Sequence, residues 1–213
     1  LLVNEALWSF GVATMMQIYS VRGLMVLAGL NISSNITNLF NVVFIAMGSA
    51  VAVLIGQALG ANDLKRARED VWKLLAFSFV SCLAVGGLLA LLSPLITHMY
   101  PAEEAVYTLA SRFILASACL MPINAITHCC YFTLRAGGST VVTFLFDCVF
   151  SWMISIPFAY FLVHFTGLDI MTLVPISQSI EVIKCCVGLV LVKRGVWIRN
   201  IVAAPEAEIA AEI

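Results

Sequence analysis

Three carboxylates, Glu5, Asp147 and Glu181, stand inside stretches of sequence that are otherwise apolar. A charged side chain at the centre of a bilayer costs at least ~2.5 kcal/mol on insertion scales, so it must pair, take up a proton or face water. Glu5 has Trp8 one turn further on, on the same helix face. It is placed to bind a proton, a sodium ion or a cationic ligand, or to snorkel to an interface. Asp147 falls in the middle of its stretch, and Arg112 and Lys184 lie inside others. Arg112 is a candidate partner for Asp147 or for lipid headgroups, and Lys184 is a second candidate; a permanent pair with either makes Asp147 a structural carboxylate that never titrates. Glu181 and Lys184 are three apart, the spacing of an intrahelical ion pair. Asn31, Ser34, Asn35, Asn38 and Asn41 fall three or four apart and make one polar stripe along a helix. Such a stripe lines a wet cavity or ties helices together. Glu5, Asp147 and the Asn31–Asn35–Asn38 stripe are expected to face one interior, water-accessible surface, because none can face lipid cheaply.

Other chemistries lack their residues. The seven cysteines, Cys82, Cys119, Cys129, Cys130, Cys148, Cys185 and Cys186, all lie inside apolar runs, and none forms a C-x-x-C pair. Zinc spacing is absent, no metal or cofactor is implied, and the cysteines read as small apolar helix residues. His98, His128 and His164 sit near segment ends without Asp or Ser company, which argues against a membrane enzyme. A net charge of −1 offers no basic patch for nucleic acid.

The elements that position these residues follow from composition. The 213 residues are 62% hydrophobic and 11% charged, with mean hydropathy +1.04. Soluble domains carry about 25% charged residues, so the excess apolar surface must face lipid. Six runs are long enough to span: roughly 1–21, 31–59, 71–97, 105–134, 140–165 and 170–192. The expected fold is an all-α integral membrane bundle of six helices, without strands or a soluble domain. Residues 1–202 form the transmembrane unit, and 203–213 a frayed tail. With six spans, Lys65, Arg66, Arg68, Arg135, Lys193, Arg194 and Arg199 gather at one end, while Arg22, Glu103, Glu104 and Asp169 mark the other. By the positive-inside rule the first end is cytoplasmic, so both chain ends face the cytoplasm. The charged segment after Gly60 then reads as a cytoplasmic loop. Gly56 and Gly60, four apart, predict close helix packing and helix termination. Pro122 and Pro157 predict kinks inside spans. The chain opens at Leu1, without Met or a signal peptide and already inside an apolar run, and reads as part of a longer protein.

Several motifs resemble one family in order and spacing. G-Q-A-L-G-A-N-D (Gly56–Asp63) followed by K-R-A resembles the G-Q-x-x-G-A segment of the multidrug and toxic compound extrusion (MATE) transporters. V-N-E-A-L-W (Val3–Trp8) resembles the start of their second lobe. L-R-A-G-G (Leu134–Gly138), F-D-x-x-x-x-W (Phe146–Trp152) with I-P-F-A-Y, and E-V-I-K (Glu181–Lys184) with K-R-G-V-W-I-R-N follow in turn. The resemblance covers the chain to about Val202. It implies the C-terminal six-helix lobe of a two-lobe exporter in the cell membrane, with the N-terminal lobe missing. Efflux of an organic cation or another small molecule, driven by entry of H+ or Na+, is the implied activity. Glu5, Trp8, Asn31, Asn35, Asn38, Asn124, Asp147 and Glu181 are then the expected cavity residues. In such a site a bound cationic drug favours proton release from a carboxylate, and protonation favours drug release. Some sodium-coupled members carry acids where this chain has Asn124 and Trp8, so that site is expected to be altered or lost here. The alternatives are a lipid-linked oligosaccharide flippase of the same superfamily, which calls for more basic residues than Lys184 and Arg112, and a non-transporting membrane partner.

Overall fold

A computed structural model describes residues 2–97 and 103–198. Leu1, His98, Arg199 and the tail after Val202 lie outside the described residues, as does most of the turn expected around Pro101. Six helices follow in order: α1 (Leu2–Ser20), α2 (Leu24–Gly60), α3 (Leu64–Thr97), α4 (Glu104–Ala136), α5 (Thr140–Phe165) and α6 (Ile170–Arg194). The described residues contain no strand. Five of the six, α2 to α6, are long and apolar enough to cross a membrane. The 19-residue α1 has the length, but Asn4, Glu5 and Gln17 dilute its apolarity.

α4 is the central helix and packs against α2, α3, α5 and α6, while α1 lies against α2 and α5. The core is continuous along the bundle. At one end Leu59, Ala67, Val71, Leu134, Val192 and Trp197 are buried together. In the middle, Ile36, Phe44, Cys82, Leu89 and Met121 join α2, α3 and α4. At the opposite end Tyr19, Val26, Phe113, Leu162 and Leu173 close the bundle. The first of these ends carries Lys65, Arg66, Arg68, Arg135 and Arg194, so the charge skew of the sequence is a real separation in space. At the other end the Arg22 guanidinium donates to the carbonyls of Val163 (2.7 Å) and Thr166 (2.8 Å), where α5 runs out of its own donors.

Two helices begin earlier than the apolar runs suggest. α2 starts at Leu24 rather than Asn31, and α3 at Leu64 rather than Val71. The 37 residues of α2 make a rod of about 56 Å, well beyond the ~30 Å of hydrocarbon. The charged segment is therefore mostly the first turns of α3 and not a loop. Asp63 accepts from the Arg66 N–H (3.1 Å), and Arg66–Asp70 (3.4 Å) and Lys73–Asp70 (3.5 Å) pair along the exposed face. The turn itself is short, and Asn62, at φ 57°, takes the left-handed position that ends α2.

Gly56 and Gly60 do not mark a close helix contact: a Cβ at either would meet nothing within 4 Å. They lie on the last turns of α2, toward the end of that long rod. Close approach falls elsewhere. A Cβ at Gly86 would stand 2.7 Å from the Ala118 carbonyl oxygen, where α3 meets α4. Pro122 is buried within α4, which continues through it. Pro157 follows two wide π-helical turns of α5, Leu145–Val149 and Ser151–Ser155, whose re-routed bonds accommodate the N–H that proline lacks. Pro175 was not singled out in the sequence, yet α6 is interrupted just after it, between Ile170–Gln178 and Ile180–Arg194.

Gly86→Ala should lower the melting temperature of the purified protein by an amount matching about 1–3 kcal/mol of overpacking, because the obstructing atom is backbone. Gly56→Ala should be neutral or stabilising by up to ~1 kcal/mol through helix propensity. Equal destabilisation by both in a thermal melt would contradict this placement of the helix contacts.

Candidate functional site

Asp147 lies on the first wide turn of α5, with its side chain turned toward α6. There its Oδ1 meets the Lys184 ammonium at 2.9 Å, with the two side chains only 15% and 9% exposed. Lys184 thus pairs across a helix interface, and not with Glu181 on its own helix as the spacing suggests. Arg112 is not the partner either: it is exposed in the first turns of α4, beside Glu104, Thr108 and Ser111. The ammonium also lies over the Phe146 and Phe150 rings, at 5.6 and 6.0 Å from their centroids. These faces offer partial compensation for the water that the charge has lost.

The other carboxylate oxygen is engaged from α1. The buried amide of Asn4 donates to Asp147 Oδ2 (3.4 Å) and to the Tyr131 hydroxyl (3.1 Å) on α4, while its own oxygen accepts from the Cys148 thiol (3.0 Å). Trp152 Nε1–H donates to the Leu7 carbonyl (3.1 Å), and Ser151 Oγ–H to the Asp147 carbonyl (2.8 Å). Four helices meet in this network. Asn4 and Tyr131 were not singled out in the sequence, and Cys148 was read only as a small apolar helix residue. Asn4 was visible as an amide in an apolar run, but no spacing rule links it to a carboxylate 143 positions away.

Glu5, next to Asn4, points the other way. Its side chain is exposed and pairs with Arg135 at 3.7 Å, a partner the sequence did not suggest. Trp8 is half exposed. Asn31, Asn35 and Asn38 are exposed on α2. Ser34, Asn38 and Asn41 are joined by hydrogen bonds of 3.5 and 3.3 Å, so part of the stripe is a chain of bonds along one helix. Its Asn41 end reaches a cavity of about 200 Å³ between α2, α4 and α6, where Asn124, Gln178 and Glu181 also lie. The predicted residues thus divide. Asn124 and Glu181 come together in this cavity, Asp147 is bonded one turn along α6 at Lys184, and Glu5, Trp8, Asn31, Asn35 and Asn38 are exposed apart from both.

Five helices long and apolar enough to cross a membrane, around an internal ion pair and a polar cavity, are the build of a multi-pass membrane protein. The MatE family model matches residues 1–161, three quarters of the chain, and the chain belongs to that family. It is 24% identical over 168 residues to Multidrug and toxin extrusion protein 2 of Oryctolagus cuniculus, covering 78% of this chain and 27% of that protein. It is 21% identical over 131 residues to the Probable multidrug resistance protein YoeA of Bacillus subtilis (strain 168), covering 60% of this chain and 27% of that protein. The matched stretch thus spans about a quarter of the length of each relative. The family match stops before α6, so the roles of Glu181 and Lys184 rest on this chain's own geometry.

Asn4→Leu should destabilise the protein by about 1–3 kcal/mol, because it leaves buried polar partners unsatisfied. Tyr131→Phe should cost less, and the double variant less than the sum, since one amide serves both contacts. Strictly additive shifts in a thermal or denaturant melt would contradict a shared network.

Proposed function

We propose that the protein exports small organic molecules, drugs or metabolites, across the cell membrane by alternating access, and that this chain supplies one six-helix lobe. Entry of H+ or Na+ drives the export. The observation that carries the reading is the buried Asp147–Lys184 pair, placed where α1, α4, α5 and α6 meet. The names of the two relatives and the family membership support it. The basic end of the bundle is the cytoplasmic end.

The chemistry follows from charge balance. Lys184 already neutralises Asp147, so a proton or a cationic substrate reaching that carboxylate must displace the ammonium. Displacement frees the contact that holds α5 to α6, and the Asn4 amide passes the change to α1. A ligand shifts such an equilibrium only by its difference in affinity for the two arrangements. Substrate and proton then act reciprocally: binding of one favours release of the other. The two wide turns of α5 and the interruption of α6 are where such helices can change winding without breaking a regular ladder. The flippase alternative is less well supported. Lys184 is spent on Asp147 and Arg112 lies outside the network, so the described interior offers no free basic cluster for a lipid-linked phosphate.

In the whole protein, Asp147→Asn should abolish coupled export or reduce it at least tenfold while leaving membrane expression intact. Vesicle efflux of a fluorescent organic cation across an imposed pH or Na+ gradient measures this. Export that keeps its rate and its pH dependence in both Asp147→Asn and Glu5→Gln would refute a role for these carboxylates in coupling.

A further inference from the structure

We propose that the cavity between α3 and α4, at the end of the bundle where α4 begins, binds one membrane phospholipid whose headgroup carries both a phosphate and a primary ammonium, the phosphoethanolamine class. Arg112 takes the phosphate and Glu104 the ammonium, with the hydroxyls of Ser111, Thr108 and Thr97 lining the same space. The lipid is resident, not cargo. The cavity is about 320 Å³. That lies at the small end of the ~300–1,000 Å³ range of ligand sites, the size for a headgroup and not for a whole lipid.

Arg112 needs an anion. It lies just over two turns into α4, about 12 Å along the axis from Glu104, within a helix apolar enough to cross a membrane. A charge at such depth is costly unless it is paired. Among the described residues Arg112 has no ion pair and no hydrogen bond, and its side chain is exposed. Helical side chains lean back toward the N-terminus, and long basic ones snorkel to the interface. Both tendencies carry the guanidinium toward the Glu104 end, to the level of the headgroups. The anion available there is phosphate, which a guanidinium meets with two parallel N–H bonds.

Donors and acceptors are sorted in the same order. The Thr97 hydroxyl donates to the carbonyls of Ser93 (2.9 Å) and Pro94 (3.2 Å), and the Thr108 hydroxyl to the Glu104 carbonyl (3.1 Å). With those protons spent inside their helices, both oxygens can only accept toward the cavity, as can the Glu104 carboxylate. Ser111 differs. Its Oγ stands 3.3 Å from Ser93 Oγ on α3, a contact in which either hydroxyl can donate. When Ser93 donates, the Ser111 proton is free for a phosphate beside Arg112. One part of the cavity thus donates and the other accepts. A primary ammonium has three N–H groups for the accepting part, whereas a choline headgroup has none. Glu104 and Arg112 balance in charge, so a purely anionic headgroup would meet an uncompensated carboxylate. The order along the bundle fits as well. In a phospholipid the ammonium lies further from the acyl chains than the phosphate, and Glu104 lies nearer the end of the bundle than Arg112. Deeper in, the same faces turn apolar. Leu91 is one turn below Pro94 on α3 and Leu115 one turn below Arg112 on α4, and both are exposed to acyl chains.

The test is lipid binding to the whole purified protein, stripped of lipid in detergent and read by native mass spectrometry and melting temperature. Phosphatidylethanolamine should fill one saturable site at least tenfold more tightly than phosphatidylcholine or phosphatidylglycerol, and should raise the melting temperature as it does so. Arg112→Gln should weaken that site at least tenfold. Glu104→Gln should erase the preference over phosphatidylcholine and let phosphatidylglycerol bind at least as well, because the cavity then carries a net positive charge. Both side chains are exposed, so both variants should melt at the temperature of the lipid-free parent. Equal binding of the three lipids by the parent, or a preference unchanged in Arg112→Gln and Glu104→Gln, would overturn the site. Soluble phosphoethanolamine binding as tightly as the lipid would overturn it too, since the acyl chains would then contribute nothing.

Discussion

The arrangement depends on one contact, the Asp147–Lys184 pair at 2.9 Å. Removing two charges from water costs several kcal/mol each, and the attraction between them repays this only with good geometry and further partners. The surrounding network supplies those partners. Asn4 donates to the second carboxylate oxygen, and Phe146 and Phe150 present their faces to the ammonium. Each partner must lie at a set height and rotation on its helix. The pair therefore fixes how α1, α5 and α6 sit relative to one another and to Tyr131 on α4, something apolar packing in lipid specifies weakly.

Such a contact is also a place where a structure can change state. Apolar membrane helices have little to gain by choosing one rotation over another, because lipid is as apolar as they are. A buried ion pair makes one rotation much better than the rest until a proton or a cation alters the balance. The irregular winding lies beside it: the π turns of α5 contain Asp147, and the interruption of α6 comes one to two turns before Lys184. Pro157, just after the π turns, lacks the N–H that would bond back into them, whereas the missing N–H of Pro175 concerns the turn before it and does not explain the break at Ser179. In this reading, Pro157 matters less as a kink than as a reason α5 tolerates more than one winding next to the charge.

The six helices were legible because long apolar runs have no other stable home than lipid. Their bounds were not, because hydropathy marks the hydrocarbon and the helices continue into water. That is why Val71 stood in for the true start of α3 at Leu64; α2 was begun late for another reason, since Leu24–Leu30 is itself apolar and was left in the connection before the amide stripe. Of the reading of Gly56 and Gly60, helix termination holds, since α2 ends at Gly60, but close packing does not: small-xxx-small spacing signals it only where a neighbour is present, and here nothing stands within 4 Å. Asp147 was legible as a carboxylate in need of a partner. Both Arg112 and Lys184 were candidates, and the structure takes Lys184, because only the fold decides which basic residue comes to α5. The polar stripe of α2 was legible as a stripe, but only its Asn41 end meets Asn124 and Glu181 in the cavity. Asn4 to Asp147 and Glu5 to Arg135 are pairings across more than half of the chain, and only the fold brings them together.

The central claim is that Asp147 and Lys184 act as one unit on which the packing of α5 and α6 depends. The most direct measurement is a double-mutant cycle with a charge swap, Asp147→Lys and Lys184→Asp, read as the melting temperature of the purified whole protein. Each single change buries two like charges and should destabilise strongly, on the scale of the 3–5 kcal/mol typical of a broken buried pair. The swapped double variant should recover much of that loss, giving a coupling energy well above the ~0.5 kcal/mol that independent sites show. Small single effects that simply add in the double variant would contradict the account.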